Sequence, residues 1–299
     1  MCEETAELEI TFTIIIPSYN RDAPLRRLLA GIEDLSPDSP EFEVIVVDDG
    51  SEPAVSIDVN FYSFPLIVIR NNNGGPARAR NNGAQSARGA FLAFIDDDCV
   101  PHPDWLLGFD EYCGNDPGTL LGGQTLNGCE NNVYSEATQL LINFLLEHYN
   151  PADIKGGFYP TNNMSIPKAS FLSLGGFNTS LSYGEDRELC YRWALENNRF
   201  KWVRNAKVFH FHELDFVLFL KLHAKYGTGS LQFHQIASNE LQSPVSLSRF
   251  TFYLKLICHP LSRGVSIKTM QLTFLLFCTQ AANLGGMTWQ WWKSITGNK

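Results

Sequence analysis

The sequence predicts an α/β fold: a mostly parallel β-sheet covered by helices on both faces, followed by a helical C-terminal extension. Three observations carry this. Four runs, residues 11–17, 43–47, 66–69 and 91–95, are almost continuously apolar, the pattern of strands buried on both faces. Helical spacing separates the first run from the second and the third from the fourth. Two of the runs end in adjacent carboxylates, and ligands of such sheets bind beyond the carboxyl ends of the strands. With 299 residues, 44% hydrophobic and 18% charged, the chain can bury a full core and is not of disordered composition.

Taken in order, residues 11–17 form the first strand, stopped by Pro17, and Leu25, Leu28, Leu29 and Ile32 then repeat at helical spacing. Residues 43–47 form the second strand and end in Asp48-Asp49-Gly50; residues 66–69 form the third. Gly74-Gly75-Pro76 opens a helix, with proline suited to its first turn. Residues 91–95 form the fourth strand and end in Asp96-Asp97-Asp98. Further on, residues 133–146 read as helix, residues 156–166 as a Gly/Asn-rich loop or strand, and residues 184–197 as a helix that starts with Glu185-Asp186. Beyond His210 and His212 the chain reads as helical, with breaks near Ser243-Pro244 and His259-Pro260. The division expected is a main domain over residues 1–240, split near residue 100, and a helical extension over 241–299.

The start of the chain is acidic (Cys2-Glu3-Glu4), and the first apolar run, Ile14-Ile15-Ile16, is too short for a signal-peptide core, so a cytoplasmic location is expected. The seven cysteines include no C-x-x-C pair, which suggests reduced thiols rather than a zinc knuckle or a disulfide framework. The net charge of −9 hides an asymmetry: residues 200–299 hold 11 Lys and Arg against 3 Asp and Glu. An acidic front and a basic back suggest two different partners.

Three adjacent carboxylates, Asp96, Asp97 and Asp98, repel one another at a strand end, and a divalent cation removes that repulsion. Hard oxygen ligands suit Mg2+ or Mn2+, which keep waters and bind substrate phosphates. The plainer reading is a solvated turn or a helix cap before Asp104. Asp48-Asp49-Gly50-Ser51 is ordinary turn chemistry, yet it ends a neighbouring strand, where a carboxylate can accept hydrogen bonds from a base or ribose. Glu185-Asp186 at a helix start is favoured by the macrodipole, and it also offers a general base. His210 and His212 alternate along an expected strand and so share a face, where imidazole can ligate a metal. Asn73-Gly74-Gly75-Pro76 with Arg78 and Arg80 sets a glycine turn and cations at a helix N-terminus, a place that attracts phosphate unless the arginines merely solvate the helix. Neither a P-loop nor a strand-linked G-x-G-x-x-G is present, which counts against kinases and nicotinamide enzymes.

The ordered series of residues 14–21, 46–51, 73–83 and 89–98, Gly175-Gly176-Phe177 and residues 184–189 resembles the family 2 glycosyltransferases, over about residues 11–212. The resemblance implies the GT-A fold, with a Rossmann-like nucleotide-binding half over residues 11–100 and an acceptor half over 101–240. It implies transfer of a sugar, with inversion, from a nucleoside-diphosphate sugar, a UDP-sugar in the first place, to a hydroxyl of a saccharide or lipid-linked acceptor. No nucleic acid partner is implied. Pro17, Tyr19 and Arg21 would line the nucleotide pocket beside Asp49, which would accept from the base. Arg80 would lie near the base or pyrophosphate, Asp96 and Asp97 near the ribose and donor, and Asp98 on Mn2+ or Mg2+. His210 matches the downstream metal ligand, with His212 a second candidate, and Asp186 matches the catalytic base. Where the family often has Gly-x-Asn in the acceptor loop, this chain reads Thr161-Asn162-Asn163.

Two rival readings have distinct signatures. A sugar nucleotidyltransferase would carry a Gly-rich cationic loop after the first strand, where this chain has Pro17-Ser18-Tyr19-Asn20. A non-catalytic nucleotide- or saccharide-binding module would not need Asp98, Asp186 and His210 together. The tail also has two readings. No charged residue lies between Lys268 and Lys293, and Trp289, Trp291 and Trp292 cluster near its end, but Gln271, Gln280, Asn283, Gln290 and Gly285-Gly286 interrupt the run. It is either a helix packed on the domain or on a second subunit, or an interfacial helix on an anionic inner membrane face.

Overall fold

The protein is described by a computed structural model over residues 10–113, 118–150, 157–239 and 250–296. It contains, in chain order, β1 (Phe12–Ser18), α1 (Asp22–Glu33), β2 (Phe42–Asp48), β3 (Leu66–Arg70), α2 (Pro76–Ser86), β4 (Phe91–Phe94), β5 (Cys99–Pro101), α3 (Trp105–Cys113), β6 (Thr119–Asn127), α4 (Val133–Tyr149), β7 (Met164–Pro167), α5 (Lys168–Ser173), α6 (Glu185–Leu195), β8 (Arg199–His210), α7 (Phe216–Asn239), α8 (Phe250–Cys258) and α9 (Ile267–Thr296). Over their described residues these fall into two compact units. One is formed by Met1–Leu126, Lys155–Thr179 and Leu189–His210, the other by Asn127–Ile154, Ser180–Glu188 and Phe211–Lys299.

The first unit holds an eight-stranded sheet in the order β3-β2-β1-β4-β7-β6-β8-β5. The strands β3, β2, β1 and β4 run parallel and are the four apolar runs seen in the sequence. Antiparallel pairs β4–β7, β6–β7 and β5–β8 extend it. Ile14, Ile15 and Ile16 of β1 are fully buried, and α1 turns Leu25, Leu28, Leu29 and Ile32 into the core. The one polar residue within β2's apolar run, Glu43, is equally buried. It accepts from Thr13 Oγ1 at 2.8 Å, from the Arg88 amide at 2.6 Å and from Arg88 Nε at 2.7 Å, so its charge is matched inside the core. The chain builds outward from β1 through β2 to β3, then returns to place β4 on β1's other side. That reversal opens a crevice at the carboxyl ends of β1 and β4, where α/β sheets bind their ligands.

The second unit is helical. Asn132 caps α4, its Oδ1 accepting from the amides of Tyr134 and Ser135 at 3.1 and 3.0 Å. The apolar faces of α4 and α7 pack on α8 and α9 through Leu140, Leu141, Phe219, Leu256, Leu272 and Leu276. This is why compactness groups α4 and α7 with the tail, rather than dividing the chain near residue 240; residues 240–249, including the expected break at Ser243-Pro244, lie outside the described residues. The break at Pro260 is a 3-10 turn, His259–Arg263, closed by Gly264 at φ +104°. Gly285 and Gly286 do not interrupt α9, which runs unbroken for 30 residues. Gly286 instead faces the Ala224 backbone of α7, and Gly227 of α7 faces the Asn283 backbone of α9, so closely that a Cβ at either glycine would collide with a carbonyl. No described helix is long and apolar enough to cross a membrane.

Candidate active site

The ends of β1 and β2 and the turn after β4 bring the predicted acidic and basic residues of the first unit together. Asp98 is buried, 5% exposed. It accepts from Arg21 Nη2 at 2.8 Å and lies 3.1 Å from His210 Nε2. Arg21 spans two carboxylates, since its Nη1 donates to Asp97 Oδ1 at 2.8 Å. Asp97 also accepts from Ser18 Oγ at 2.8 Å, a bond that bridges the crevice between β1 and the turn after β4. Burial pushes the Asp97 carboxyl up to about 7, outweighing the opposing pull of Arg21. For Arg21, burial works against the charge, but Asp98 and Asp97 outweigh it and raise the guanidinium above its usual range. Arg80, buried on α2, donates to Asp96 Oδ1 at 2.5 Å. Asp96 is the half-open member of the triplet, with 30% of its side chain exposed.

The second acidic pair divides into two jobs. Asp48 is a turn residue: it accepts from the amides of Ser51 and Val55 at 2.8 and 3.1 Å and from Arg70 Nη1 at 2.7 Å. These bonds outweigh burial and hold its carboxyl below the usual range. Asp49 directly follows β2, and its side chain meets the turn that starts α2. Its Oδ2 accepts from the Gly75 amide at 2.7 Å, and its Oδ1 accepts from the Gly74 amide at 3.0 Å. The glycine turn thus receives its anion from within the protein, and its amides are committed to Asp49 rather than offered to phosphate. Gly75 adopts φ +86°, a left-handed conformation that aims its amide at the carboxylate and favours glycine. Of the two arginines nearby, Arg78 donates to the Asn72 carbonyl, while Arg80 belongs to the acidic cluster.

The metal question turns on Asp98 and His210. With Cys99, they are the one group of three potential donors among the described residues, all atoms within 4.8 Å of one another. A buried carboxylate and an imidazole fit a divalent cation that keeps waters and accepts phosphate oxygens as its remaining ligands. The surroundings of the imidazole fit too. His210 Nδ1 lies 3.4 Å from Asn162 Nδ2, and Thr125 Oγ1 donates to Asn162 Oδ1 at 3.2 Å. Rotating the Asn162 amide by half a turn gives a protonated Nδ1 its acceptor and leaves Nε2 for the cation. The Cys99 thiol, fully buried, makes a 4.0 Å contact with Asp98, and burial pushes it well above its usual range.

His212 is different. The strand ends at His210 and residues 211–215 carry no regular structure, so the alternation that would put both imidazoles on one face stops short of His212, which belongs to the second unit. Pro17 is buried in β1 in register with Val47, and Tyr19 is exposed just beyond the strand end. Asp186 lies on the first turn of α6, in the second unit; its Oδ1 accepts from the Arg187 amide at 2.7 Å. Arg187 lays its guanidinium over the Phe233 ring at 4.7 Å, and burial lowers its pKa. In the stretch that stands for the acceptor loop, Asn163 is a brace: it accepts from Trp105 Nε1 at 2.8 Å and donates to the carbonyls of Gln124 and Ala206 at 3.1 and 3.0 Å. Sequence reasoning gave no role to Ser18, Cys99 or Asn162. The first two are chain neighbours of the predicted residues, but Asn162 is 48 positions from His210 and no local pattern pairs them.

The model of the family described as glycosyl transferase family 2 matches residues 13–172, more than half of the chain. An uncharacterized glycosyltransferase of Haemophilus influenzae is 33% identical over 194 residues, which cover 62% of this chain and 62% of that protein. The pre-mycofactocin glycosyltransferase of Mycobacterium tuberculosis is 28% identical over 72% of this chain and 46% of its own length. The chain therefore spans less than two-thirds of the length of these relatives. Among solved structures, a mannosyltransferase from Pyrobaculum calidifontis, in complex with GDP-Man and Mn2+, superposes with a TM-score of 0.58 at 14% identity, covering 91% of this chain and 86% of that one. TarS of S. aureus does so with a TM-score of 0.52 at 21% identity, covering 93% of this chain and 54% of that one. The fold is that of the GT-A glycosyltransferases, with a helical C-terminal region. On the matched sequence, which takes in the strand-end carboxylates Asp49 and Asp98, the chain belongs to glycosyl transferase family 2.

Proposed function

We propose that the protein transfers a sugar from a nucleoside-diphosphate sugar, a UDP-sugar in the first place, to a hydroxyl of a saccharide or lipid-linked acceptor, with inversion and with Mn2+ or Mg2+ bound. The observation that carries this reading is the buried Asp98–His210 pair at the crevice between β1 and β4, with Arg21 and Arg80 beside it. A bound divalent cation supplies Lewis-acid stabilisation of the diphosphate leaving group. Arg21 sits where it can exchange a carboxylate for a phosphate oxygen, and its fork suits either. Arg80 keeps Asp96 oriented towards the ribose. Asp49 acts on the donor through structure: it fixes the turn that starts α2, the helix that carries Arg80.

Asp186 takes the proton from the acceptor hydroxyl as its oxygen bonds to the anomeric carbon. The bond from that carbon to the diphosphate oxygen breaks, and its electron pair leaves with the nucleoside diphosphate. A single displacement inverts the anomeric centre, and such a base contributes about 10²–10⁴-fold in rate. The relatives with named sugar-transfer activities, the pre-mycofactocin glycosyltransferase among them, support the class of reaction. A screen of nucleotide sugars with Mn2+ or Mg2+, read by nucleoside diphosphate release, tests it. Release from one donor, dependent on Asp98 and accelerated by an acceptor, is expected. Pyrophosphate release from a sugar phosphate and a nucleoside triphosphate, with no diphosphate release from any donor, would replace it with a nucleotidyltransferase.

A further inference from the structure

Among the described residues, one face of the longest helix of the second unit stays exposed. On α9 the residues Leu272, Leu275, Leu276, Thr279 and Gly286 are buried against the rest of the unit. On the opposite side Met270, Phe274, Phe277, Leu284, Trp291 and Ile295 recur at alternating spacings of three, four and seven residues. Each is between 56% and 62% exposed. They form a single apolar stripe about 37 Å long at the helical rise of 1.5 Å per residue. The approach to the helix continues it: Val265 is 80% and Ile267 87% exposed. A contiguous exposed apolar stripe of this length marks an interaction surface.

Charge decides among its possible partners. From Phe250 to Thr296 every charged residue is a cation: Lys255, Arg263, Lys268 and Lys293. Lys268 pairs with Glu136 at 2.9 Å and still keeps 64% of its side chain exposed. A second copy packed on the same stripe would find on this segment none of the opposite charges that flank helix–helix seams. A spanning helix is excluded by the hydropathy of α9. An anionic bilayer surface satisfies both halves of the pattern, taking the aromatic and aliphatic side chains at the acyl boundary and the cations at the headgroups. Trp289 and Trp292, stacked with centroids 5.3 Å apart, supply the amphipathic rings that favour that depth.

We propose that the exposed face of α9 is an interfacial anchor that holds the protein flat on an anionic lipid surface. This goes beyond the transferase reading and does not depend on it. It also gives that reading a place to find a lipid-linked acceptor. The test is sedimentation of the full chain with vesicles of phosphatidylcholine containing about one-third phosphatidylglycerol, against phosphatidylcholine alone. Pelleting on the anionic vesicles at low salt is expected, reduced on neutral vesicles. It should fall with added salt, since each basic residue near an anionic leaflet is worth about fivefold in partition and the Debye length shrinks to about 3 Å at 1 M. Phe274→Glu with Phe277→Glu, both on the exposed face, should abolish pelleting and leave the helical circular dichroism and the melting temperature unchanged. A parent chain that stays in the supernatant at low salt overturns the proposal, as does pelleting that survives the double substitution. A dimer in solution that the double substitution dissociates, with no pelleting, identifies a second copy as the occupant instead. Because the assay reads only lipid partition, its failure is separable from a failure of donor hydrolysis.

Discussion

Replacing Asp98 by Asn removes one charge and almost no volume from the centre of the acidic cluster. In the folded protein Asp98 is 5% exposed and receives the Arg21 Nη2 bond at 2.8 Å beside His210 Nε2 at 3.1 Å. Asn can still accept from Arg21, so what is lost is the ionic part of a charge-assisted bond, about 1–1.5 kcal/mol when fully buried. Arg21 keeps 45% of its side chain in solvent and retains Asp97, so screening reduces the expected loss of stability to about 1 kcal/mol or less. The effect on a divalent cation is larger, because the hard anionic donor goes and the imidazole remains. A loss of affinity of about 100-fold or more follows, at least the size seen when a mere second-shell partner is removed. Calorimetric titration of Mn2+ into parent and variant, each with nucleoside diphosphate present, reads the affinity, and a urea series reads the stability. If Asp98→Asn binds Mn2+ as the parent does, or if the parent turns over fully in excess chelator, the cation does not sit on Asp98 and the reading of this cluster fails.

Four further outcomes are expected. Asp186→Asn should leave donor affinity within about twofold and lower transfer by about 10²–10⁴-fold in single-turnover measurements; parental turnover would reduce Asp186 to a helix-start residue. Asp49→Ala should strand the Gly74 and Gly75 amides, costing about 2–4 kcal/mol of stability and weakening donor binding more than the chemistry of bound donor, with Asn partly rescuing both; unchanged urea midpoints would contradict the turn. Burial lowers the His223 pKa to about 4, so the unfolded chain gains a proton on this residue between about pH 6.5 and 4 while the folded chain does not, and up to about 3 kcal/mol of stability is lost as pH falls through that window. His223→Gln should flatten that slope in urea midpoints taken at pH 7 and 4.5. Gly286→Val should cost about 3 kcal/mol or more in thermal unfolding, because its side chain would meet the Ala224 carbonyl of α7, whereas Gly285→Ala, which meets open space, should not destabilise.

The parallel half of the sheet was legible because strands buried on both faces write themselves as unbroken apolar runs, as at Ile14-Ile15-Ile16 and Val44-Ile45-Val46-Val47. The antiparallel half was not. β5 and β7 are three and four residues long, too short for a period to show. β8 carries Lys201, Arg204, Asn205 and Lys207 among its apolar residues, so its burial is intermittent and its pattern weak. In the site the residue types were legible and their relations were not. Arg21 reaches Asp97 across 76 residues, and nothing local announces that one guanidinium serves two carboxylates. The glycine turn shows the opposite case. Its sequence advertised a phosphate cradle, and the fold gave its amides to Asp49 across 25 residues. In the tail the paired glycines broke the apolar run without announcing any packing role, because the close approach that Gly286 permits involves a partner helix about sixty positions away in the chain.

The clasp of Arg21 across Asp97 and Asp98, with Arg80 on Asp96, sets two guanidinium groups against three carboxylates, so the cluster matches most of its charge internally. On the transferase reading proposed above, loading is an exchange of counterions. A doubly charged cation arriving alone must displace a guanidinium from its carboxylate, and a doubly negative nucleotide sugar arriving alone must compete with Asp97 and Asp98 for the same guanidinium. Arriving together, they add no net charge, and the guanidinium released by the one is the ligand the other requires. Each would therefore strengthen the other's binding by the same factor, as linkage demands, and free cation or free nucleotide would bind less well than the pair.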